Sequence, residues 1–336
     1  MRVLLTGGTG FIGSHTAVEL LAANHDVFIC DNLCNSSRET LTAIESITGR
    51  RPVFFESDIR DARAMRSILG DNGIEAVIHF AGLKAVGESC VKPLAYYDNN
   101  VSGTVTLLEA MQTTGCRTLI FSSSSTVYGT PQKLPLTEDH PVGGVTNPYG
   151  RTKLIIEKIL ADLCAADAEF SAVCLRYFNP IGAHPSGLIG ENPNGIPNNL
   201  LPYVARVAAG VLKEVNVFGD DYPTPDGTGV RDYIHVMDLA RGHALALQYA
   251  AGRSGWDAIN LGTGKGYSVL EIIRAFEKAC GHPVAYRIAP RRAGDIAANW
   301  ADPSKAQRLL GWRAERGLED MCATAWNFQQ RLLSGK

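Results

Sequence analysis

Short apolar runs alternate with segments of helical periodicity through the first half of the chain. Each run is five to seven residues long and rich in Val, Ile, Leu and Phe, which is typical of strands buried on both faces. Such alternation is produced by parallel strands joined through right-handed helical crossovers. The pattern therefore predicts an α/β fold with a doubly wound parallel sheet. The predicted strands cover residues 2–6, 26–30, 52–56, 75–80, 117–122 and 171–177.

The pattern changes after Phe178, where Pro- and Gly-rich loops become frequent. Loops of this kind predict a smaller α/β domain that covers a ligand bound at the first domain. Residues 232–251 have a helical pattern and residues 258–261 a strand-like one, so this part of the chain is expected to return to the first domain. The predicted first domain is 1–178 together with 232–262, and the predicted second domain is 179–231 together with 263–336.

A glycine-rich loop directly follows the first predicted strand and precedes a helical pattern. In this loop, Gly7 permits a tight turn, Gly10 lets the backbone approach a pyrophosphate, and Gly13 allows close packing of helix on strand. The N-terminus of the helix offers unpaired N–H groups and a partial positive charge to phosphates. In the context of a strand, a loop and a helix, this spacing predicts a Rossmann-type dinucleotide site.

The second predicted strand is followed by Asp31, which lies 18 residues beyond Gly13. A carboxylate at this place can accept hydrogen bonds from the adenosine ribose, and it would repel a 2′-phosphate. Arg38 is the nearest arginine downstream. We therefore predict NAD rather than NADP, with the alternative that Asp31 only caps a turn.

Tyr149 and Lys153 lie one turn apart on a predicted helix. Asn147 suits the N-cap and Pro148 the first helical position, so the phenol and the ammonium are expected on one face near the start of the helix. A phenol has an ordinary pKa of about 10, and a nearby ammonium together with a cationic cofactor ring would lower it. The spacing predicts an acid/base pair, although by itself it also fits an ordinary surface helix.

Composition excludes several classes of function. The net charge of −2 gives no electrostatic reason to bind nucleic acid or an anionic membrane. No apolar run approaches the roughly 20 residues that span a bilayer, and the first apolar run is too short for a signal peptide. The eight cysteines are scattered, without C-x-x-C spacing. They predict reduced thiols in a cytoplasmic protein rather than a metal site.

Several motifs occur in order along nearly the whole chain, and together they resemble the extended short-chain dehydrogenase/reductase family. Within that family the resemblance is to the branch that epimerises UDP-hexoses at C4. The glycine loop and the Tyr149–Lys153 pair are two of these motifs. The matching segments are residues 6–13, 81–89, 121–129, 147–153, 175–182, 231–236 and 291–295.

The resemblance implies a role for each matching residue. Tyr149 would be the acid/base, Lys153 would tune it and hold the nicotinamide ribose, and Ser124 would bind the reacting hydroxyl. The implied NAD site consists of Gly7, Gly10, Phe11, Ile12, Gly13, Asp31, Asn32, Asp58, Ile59, Phe80, Lys84, Asn99, Tyr149, Lys153 and Phe178. The implied UDP-sugar site consists of Ser124, Tyr149, Asn179, Asn199, Leu200, Phe218, Arg231, Tyr233, Arg292, Asp295 and Asn299.

The implied reaction interconverts UDP-galactose and UDP-glucose. The sugar is oxidised at C4, the 4-ketose rotates, and hydride returns to its opposite face, so tightly bound NAD is regenerated in each turnover. One alternative is another NAD-dependent nucleotide-sugar epimerase or a dehydratase, but dehydratases carry acidic residues beside the catalytic serine and residues 123–126 contain none. A non-catalytic NAD-binding sensor is a further alternative, which the retention of Ser124, Tyr149 and Lys153 disfavours.

The resemblance also implies a substrate range and an assembly. Family members restricted to hexoses carry a bulky aromatic residue where this chain has Asn299. The smaller residue predicts that UDP-GlcNAc and UDP-GalNAc are accepted too, unless Asn299 faces solvent. The segments 94–111 and 147–163 carry apolar residues on more than one face, and the corresponding helices pair across a two-fold axis in the family. A homodimer is therefore expected.

Overall fold

A seven-stranded parallel sheet forms the centre of the computed structural model, which describes residues 1–292 and 294–335. The strand order reverses between the first and fourth strands, which is the topological switch point where doubly wound folds bind ligands. The predicted Rossmann-type α/β fold is confirmed. From one edge to the other the strands are β3 (Val53–Glu56), β2 (Asp26–Asp31), β1 (Arg2–Thr6), β4 (Ala76–His79), β5 (Thr118–Ser124), β6 (Ser171–Tyr177) and β10 (Gly255–Leu261).

Helices cover both faces of this sheet because successive side chains of each strand point to opposite sides. In β1, for example, Val3 and Leu5 contribute to one apolar core and Leu4 to the other. The first core is completed by α1 (Phe11–Ala22), α2 (Glu39–Thr48), α9 (Val236–Ala250) and α11 (Ser304–Leu310). The second is completed by α3 (Ala62–Asp71), α6 (Gly103–Thr114) and α7 (Pro148–Ala166).

A third apolar core lies among the elements that follow β6. Three strands pair with β9 (Val230–His235): β7 (Asn179–Ile181), β11 (Gly266–Ser268) and β13 (Ala298–Asn299). A separate pair joins β8 (Val215–Phe218) to β12 (Tyr286–Ala289). The accompanying helices are α8 (Leu200–Ala208), α10 (Val269–Cys280) and α12 (Leu318–Ser334).

Two segments differ from the predicted pattern. The helix expected over 232–251 begins only at Val236, because residues 230–235 pair as the central strand β9 and His235 caps the helix by accepting a hydrogen bond from the Met237 N–H at 3.1 Å. The helix expected over 94–111 is divided into α5 (Pro93–Tyr96), a π-helical segment (Tyr97–Ser102) and α6, and is preceded by α4 (Val86–Val91). None of the helices in the described residues is long and apolar enough to cross a membrane.

Candidate active site

The glycine loop forms an open cradle between β1 and α1. Gly7 has a φ of +70°, and a Cβ there would lie 2.7 Å from the backbone nitrogen of Ala81. A Cβ on Gly13 would lie 2.6 Å from the Gly7 carbonyl oxygen, so the helix can approach the loop only with glycine at that position. At Gly10, which is the N-cap of α1, the same test meets only the Gly7 oxygen at 3.2 Å. The exposed backbone and the N–H groups of Phe11 and Ile12 therefore suit a diphosphate.

Asp31 lies at the end of β2 beside the glycine loop. Its carboxylate accepts hydrogen bonds from the Thr9 N–H at 3.1 Å, the Leu33 N–H at 2.9 Å and the Ser36 hydroxyl at 3.1 Å. It therefore does cap a turn, as the alternative interpretation proposed, and its role at a ribose stays a prediction. The nearby Arg38 donates to Glu56 at 2.9 Å through Nε. Pairing with Glu56 leaves this guanidinium less suited to bind a 2′-phosphate.

Three residues implied for the NAD site, Asn32, Asp58 and Ile59, lie after β2 and β3. The Asn32 amide donates to Asp58 at 2.9 Å, and Arg60 donates to the same carboxylate at 2.8 Å. The hydrogen bond from Arg60 holds the pKa of Asp58 well below its ordinary value. Ile59 is buried against Gly103 at the start of α6. These groups lie after β2 and β3, the two strands that follow β1 in the order of the sheet.

The catalytic helix α7 begins as the sequence predicts. Asn147 is its N-cap and accepts a hydrogen bond from the Gly150 N–H at 2.9 Å, and Pro148 is the first helical residue. One turn further on, Lys153 is 5% exposed and donates from Nζ to the Ser122 carbonyl oxygen at 2.6 Å. Burial lowers the pKa of Lys153 to about 8. The ammonium is thus fixed at the carboxyl end of β5.

Tyr149 lies near Ser124, and its acidity is decided by more than one neighbour. Burial raises the pKa of Tyr149, whereas the Ser124 hydroxyl and the charge of Lys84 lower it. The ammonium of Lys153 lies 6.0 Å from the centre of the Tyr149 ring. Within the chain alone the lowering contributions come first from Ser124 and then from Lys84, and the expected tuning by Lys153 stays a prediction. Because burial outweighs these effects, the chain by itself keeps Tyr149 protonated, and a cationic cofactor ring would have to complete the activation.

Glu191, which the motifs did not indicate, joins the two implied binding sites. Its Oε1 accepts from Lys84 Nζ at 2.9 Å and from the Asn199 amide at 2.6 Å, while its Oε2 is buried and has no partner within the described residues. Lys84 was implied for the cofactor and Asn199 for the substrate. The sequence shows a carboxylate within the Pro- and Gly-rich loop after β7. No neighbouring residue, however, indicates which side chains it would pair with.

The residues implied for the UDP-sugar fall into two groups. In the first, β9 holds Tyr233 opposite Asn179 of β7, and Arg231 opposite Asn299 of β13. In the second, the Arg292 guanidinium lies 4.8 Å from the centre of the Phe218 ring and donates to Asp295 at 2.9 Å. Arg231 donates to the Val230 carbonyl oxygen. The aromatic face, the guanidinium and the carboxylate of the second group suit a base, a phosphate and a ribose.

The remaining implied residues are described by their contacts with neighbouring side chains and by their place in the helices. Phe80 packs its ring 4.8 Å from that of buried His243, and Phe178 is 7% exposed. Asn99 donates to the side chain of Asn100 at 2.9 Å. Leu200 is the first residue of α8. These contacts show where the residues lie, and their binding roles stay predictions.

Asn299 is buried rather than facing solvent. It is 8% exposed, its amide nitrogen lies 3.4 Å from the Ser125 hydroxyl, and its Oδ1 has no partner within the described residues. It therefore contacts the residue that directly follows Ser124. The alternative in which Asn299 points into solvent is wrong.

Comparison with known proteins decides the family. The model of the NAD dependent epimerase/dehydratase family matches residues 3–262. The chain belongs to this family.

Relatives of this epimerase family extend the similarity over the full length. The chain is 59% identical to the UDP-glucose 4-epimerase of Bacillus subtilis (strain 168), over 100% of the chain and 98% of the relative. Its structure resembles UDP-glucose 4-epimerase from Bifidobacterium longum in complex with NAD+ and UDP, with 56% identity, a TM-score of 0.97 and 100% of both chains covered. It also resembles the UDP-Glc/GlcNAc 4-epimerase of Campylobacter jejuni, with 37% identity, a TM-score of 0.85, and 98% of this chain and 99% of that one covered. The predicted NAD dependence and membership of an epimerase branch are confirmed.

Proposed function

We propose that the chain interconverts UDP-galactose and UDP-glucose by reversible oxidation at C4 of the sugar. The observation that carries the proposal is the convergence of Ser124, Tyr149 and Lys153 at the carboxyl end of β5, beside the open glycine cradle. The full-length similarity to UDP-glucose 4-epimerases supports the same substrate pair.

The cradle and the polar groups around it suit NAD. Gly10, Phe11 and Ile12 would receive the diphosphate, Asp31 a ribose, and Lys153 the ribose nearest the reacting carbon. When bound, NAD supplies the acceptor and donor of the hydride exchanged with C4. A Cβ on Gly10 would meet only the Gly7 oxygen among the described residues, and three hydrogen bonds orient the Asp31 carboxylate; both observations support this fit.

In this proposal the chain's own groups move the proton and hold the sugar. Tyr149 takes the proton from the 4-hydroxyl at its phenolic oxygen and returns it after the sugar has turned. Ser124 donates to the reacting oxygen, and the charge of Lys153 adds to that of the cofactor ring in favouring the phenolate. The diphosphate would be held by Arg231 and Arg292, so the nucleotide stays bound while the hexose rotates. Binding energy is then used away from the reacting atoms.

The purified chain should turn over UDP-galactose without added NAD. The reason is that a cofactor regenerated in each cycle need not leave the cradle. The measurement is formation of UDP-glucose by chromatography, together with absorbance of the extracted dinucleotide. A requirement for stoichiometric NAD with release of NADH would identify a net dehydrogenase and contradict the proposal. Retention of NAD without turnover would identify a sensor.

The sequence around Ser124 supports epimerisation over dehydration. Ser123, Ser125 and Thr126 flank it, and the carboxylate that contacts this segment, Glu157, is bonded to Ser123. An elimination across C5 and C6 needs an acidic group at the sugar, where this segment offers hydroxyls. We therefore propose a reaction confined to C4.

A second proposal concerns the substrate range: the chain also epimerises UDP-GlcNAc and UDP-GalNAc. The observation that favours it is the buried Asn299, which occupies less volume than an aromatic ring and whose Oδ1 has no partner among residues 1–292 and 294–335. Likeness to the UDP-Glc/GlcNAc 4-epimerase of Campylobacter jejuni is in keeping with it.

The chain is also proposed to form a homodimer through the surface of α4, α5 and α6, together with α7. On this surface Val91 and Leu94 are 79% and 81% exposed. We expect a dimer by light scattering at micromolar concentration, and Leu94→Glu should dissociate it because a charge would be buried. Ile196→Glu, on an exposed loop residue outside these helices, is the matched control. A monomeric wild-type chain would contradict this.

The eight free cysteines support a cytoplasmic location.

A further inference from the structure

A buried ion pair and a neighbouring hydroxyl join α7, the helix of Tyr149, to two adjacent strands of the large sheet, β5 and β6. Arg176 on β6 donates to Glu157 on α7 through Nε at 2.9 Å and through Nη2 at 2.6 Å, and both side chains are 3% exposed. Ser123 on β5 donates to the same carboxylate at 2.5 Å. Ser123 and Arg176 are direct partners in the register of the two strands. Three elements are therefore held at one point.

This point lies next to both members of the proton-transfer pair. Ser123 immediately precedes Ser124, and successive side chains of a strand point to opposite faces, so Ser123 bonds Glu157 while Ser124 faces the cleft. Glu157 follows Lys153 by one turn of α7 and Tyr149 by two, which places the three side chains along one side of the helix. The carboxylate thus fixes the helix of Tyr149 against the strand of Ser124.

The segment after Ser124 is held by the same guanidinium. Ser124 is followed by a short 3₁₀ helix (Ser125–Tyr128), and Arg176 Nη1 donates to the Tyr128 hydroxyl at 3.1 Å. That hydroxyl in turn donates to Asn260 Oδ1 on β10 at 2.7 Å. The backbone of Ser124 therefore lies between two residues, Ser123 and Tyr128, that are both bonded to the ion pair.

Such a network is better suited to fixing geometry than to adding stability. The desolvation of two buried charges offsets much of their attraction, so a buried ion pair often contributes little net stability. A network whose members are all bonded does, however, restrict the positions of the groups it joins. Here every polar atom of Glu157 and the Tyr128 hydroxyl has a partner.

We propose that the Glu157–Arg176 pair is a positioning device that holds Ser124 at the distance from Tyr149 that proton transfer requires. The inference rests on the proposed epimerase function. It assigns Glu157, Arg176, Ser123 and Tyr128 a role that is exerted through Ser124 and Tyr149, without contact with the sugar.

The test removes one hydroxyl on each side of Ser124. Ser123→Ala and Tyr128→Phe each delete one bond to the ion pair and leave its two charges in place, so the fold is retained. Each variant should lower kcat for UDP-galactose about tenfold, since small displacements of reacting groups have large effects on rate. The KM and the content of bound NAD should stay at wild-type values. The matched control is Ser171→Ala, which removes a buried hydroxyl at the other end of β6.

The pH profile provides a readout that a general loss of stability would not give. The Ser124 hydroxyl lowers the pKa of Tyr149, so weakening their contact should raise that pKa. The phenolate is the active form, and the acid limb of the kcat profile should therefore move to higher pH in both variants.

Three results would overturn the inference. One is a kcat within about twofold of wild type in both variants. Another is a loss of kcat that, for the same fall in the thermal unfolding midpoint, is no larger in these variants than in Ser171→Ala. The third is a fall in activity that comes with loss of NAD or a rise in KM of the same size. Absence of epimerase activity in the wild-type chain would instead refute the proposed function, which separates the two failures.

Discussion

Tyr149→Phe is expected to lower kcat for UDP-galactose by at least about 100-fold while the chain keeps its fold and its bound NAD. General acid–base catalysis usually contributes about 10²- to 10⁴-fold, and a factor of 100 corresponds to roughly 2.7 kcal/mol in the barrier. The variant loses the oxygen that carries the proton, whereas the ring continues to pack. The free energy of unfolding should change by about 1 kcal/mol or less, as for the loss of one hydrogen bond.

The measurement is a coupled assay of UDP-glucose formation, with the dinucleotide content and the thermal unfolding midpoint recorded for the same preparation. Tyr249→Phe is the matched control. Tyr249 lies on α9, outside the site, and its hydroxyl donates to Asp257 at 3.0 Å. The control should keep wild-type turnover. If Tyr149→Phe retains activity within a factor of about 5, another group moves the proton.

Asn299→Tyr is expected to reduce turnover of UDP-N-acetylglucosamine at least about tenfold relative to turnover of UDP-galactose. An aromatic ring at this buried position would occupy the space through which a 2-acetamido group moves as the sugar turns. A steric barrier can exclude the larger substrate strongly, while unused space costs the smaller one little. The expected discrimination is roughly 1.4 kcal/mol in the difference between the two barriers.

The ratio of kcat/KM for the two substrates is the quantity to measure, because a general loss of activity cancels from it. Asn299→Ala serves as the control that removes the amide but keeps the space, and it should retain the N-acetyl reaction. If Asn299→Ala loses that reaction as well, hydrogen bonding by the amide and not volume sets the substrate range. Negligible activity of the wild-type chain on UDP-N-acetylglucosamine would refute dual specificity altogether.

Local signals in the sequence were sufficient for the elements that first meet the ligand. The five- to seven-residue apolar runs predicted six strands of the large sheet to within about two residues at each end. Asn147 and Pro148 defined the start of the catalytic helix, since capping depends on residues within one turn. The spacing of Gly7, Gly10 and Gly13 indicated a turn and a close contact that are also local, and the structure contains both.

The tertiary structure decided what depends on distant partners. Residues 232–235 have a pattern compatible with a helix, yet they form a strand because β11 pairs with residue 232 and β7 with residues 233–235. The charge of Lys84, which is remote from Tyr149 in the sequence, contributes to lowering the pKa of Tyr149, and the partner of Lys84 is Glu191, 107 residues away along the chain.

The ion pair of Glu157 and Arg176 shows the same limit. Glu157 is a charged residue on the buried side of α7, among apolar neighbours. Its partner Arg176 lies on β6, so the sequence near Glu157 does not indicate the pair. The sequence determined the periodicity, the caps and the turns, because these follow from interactions within a few residues. Packing determined which polar groups meet in the interior, since buried charges must find partners wherever the fold brings strands and helices together.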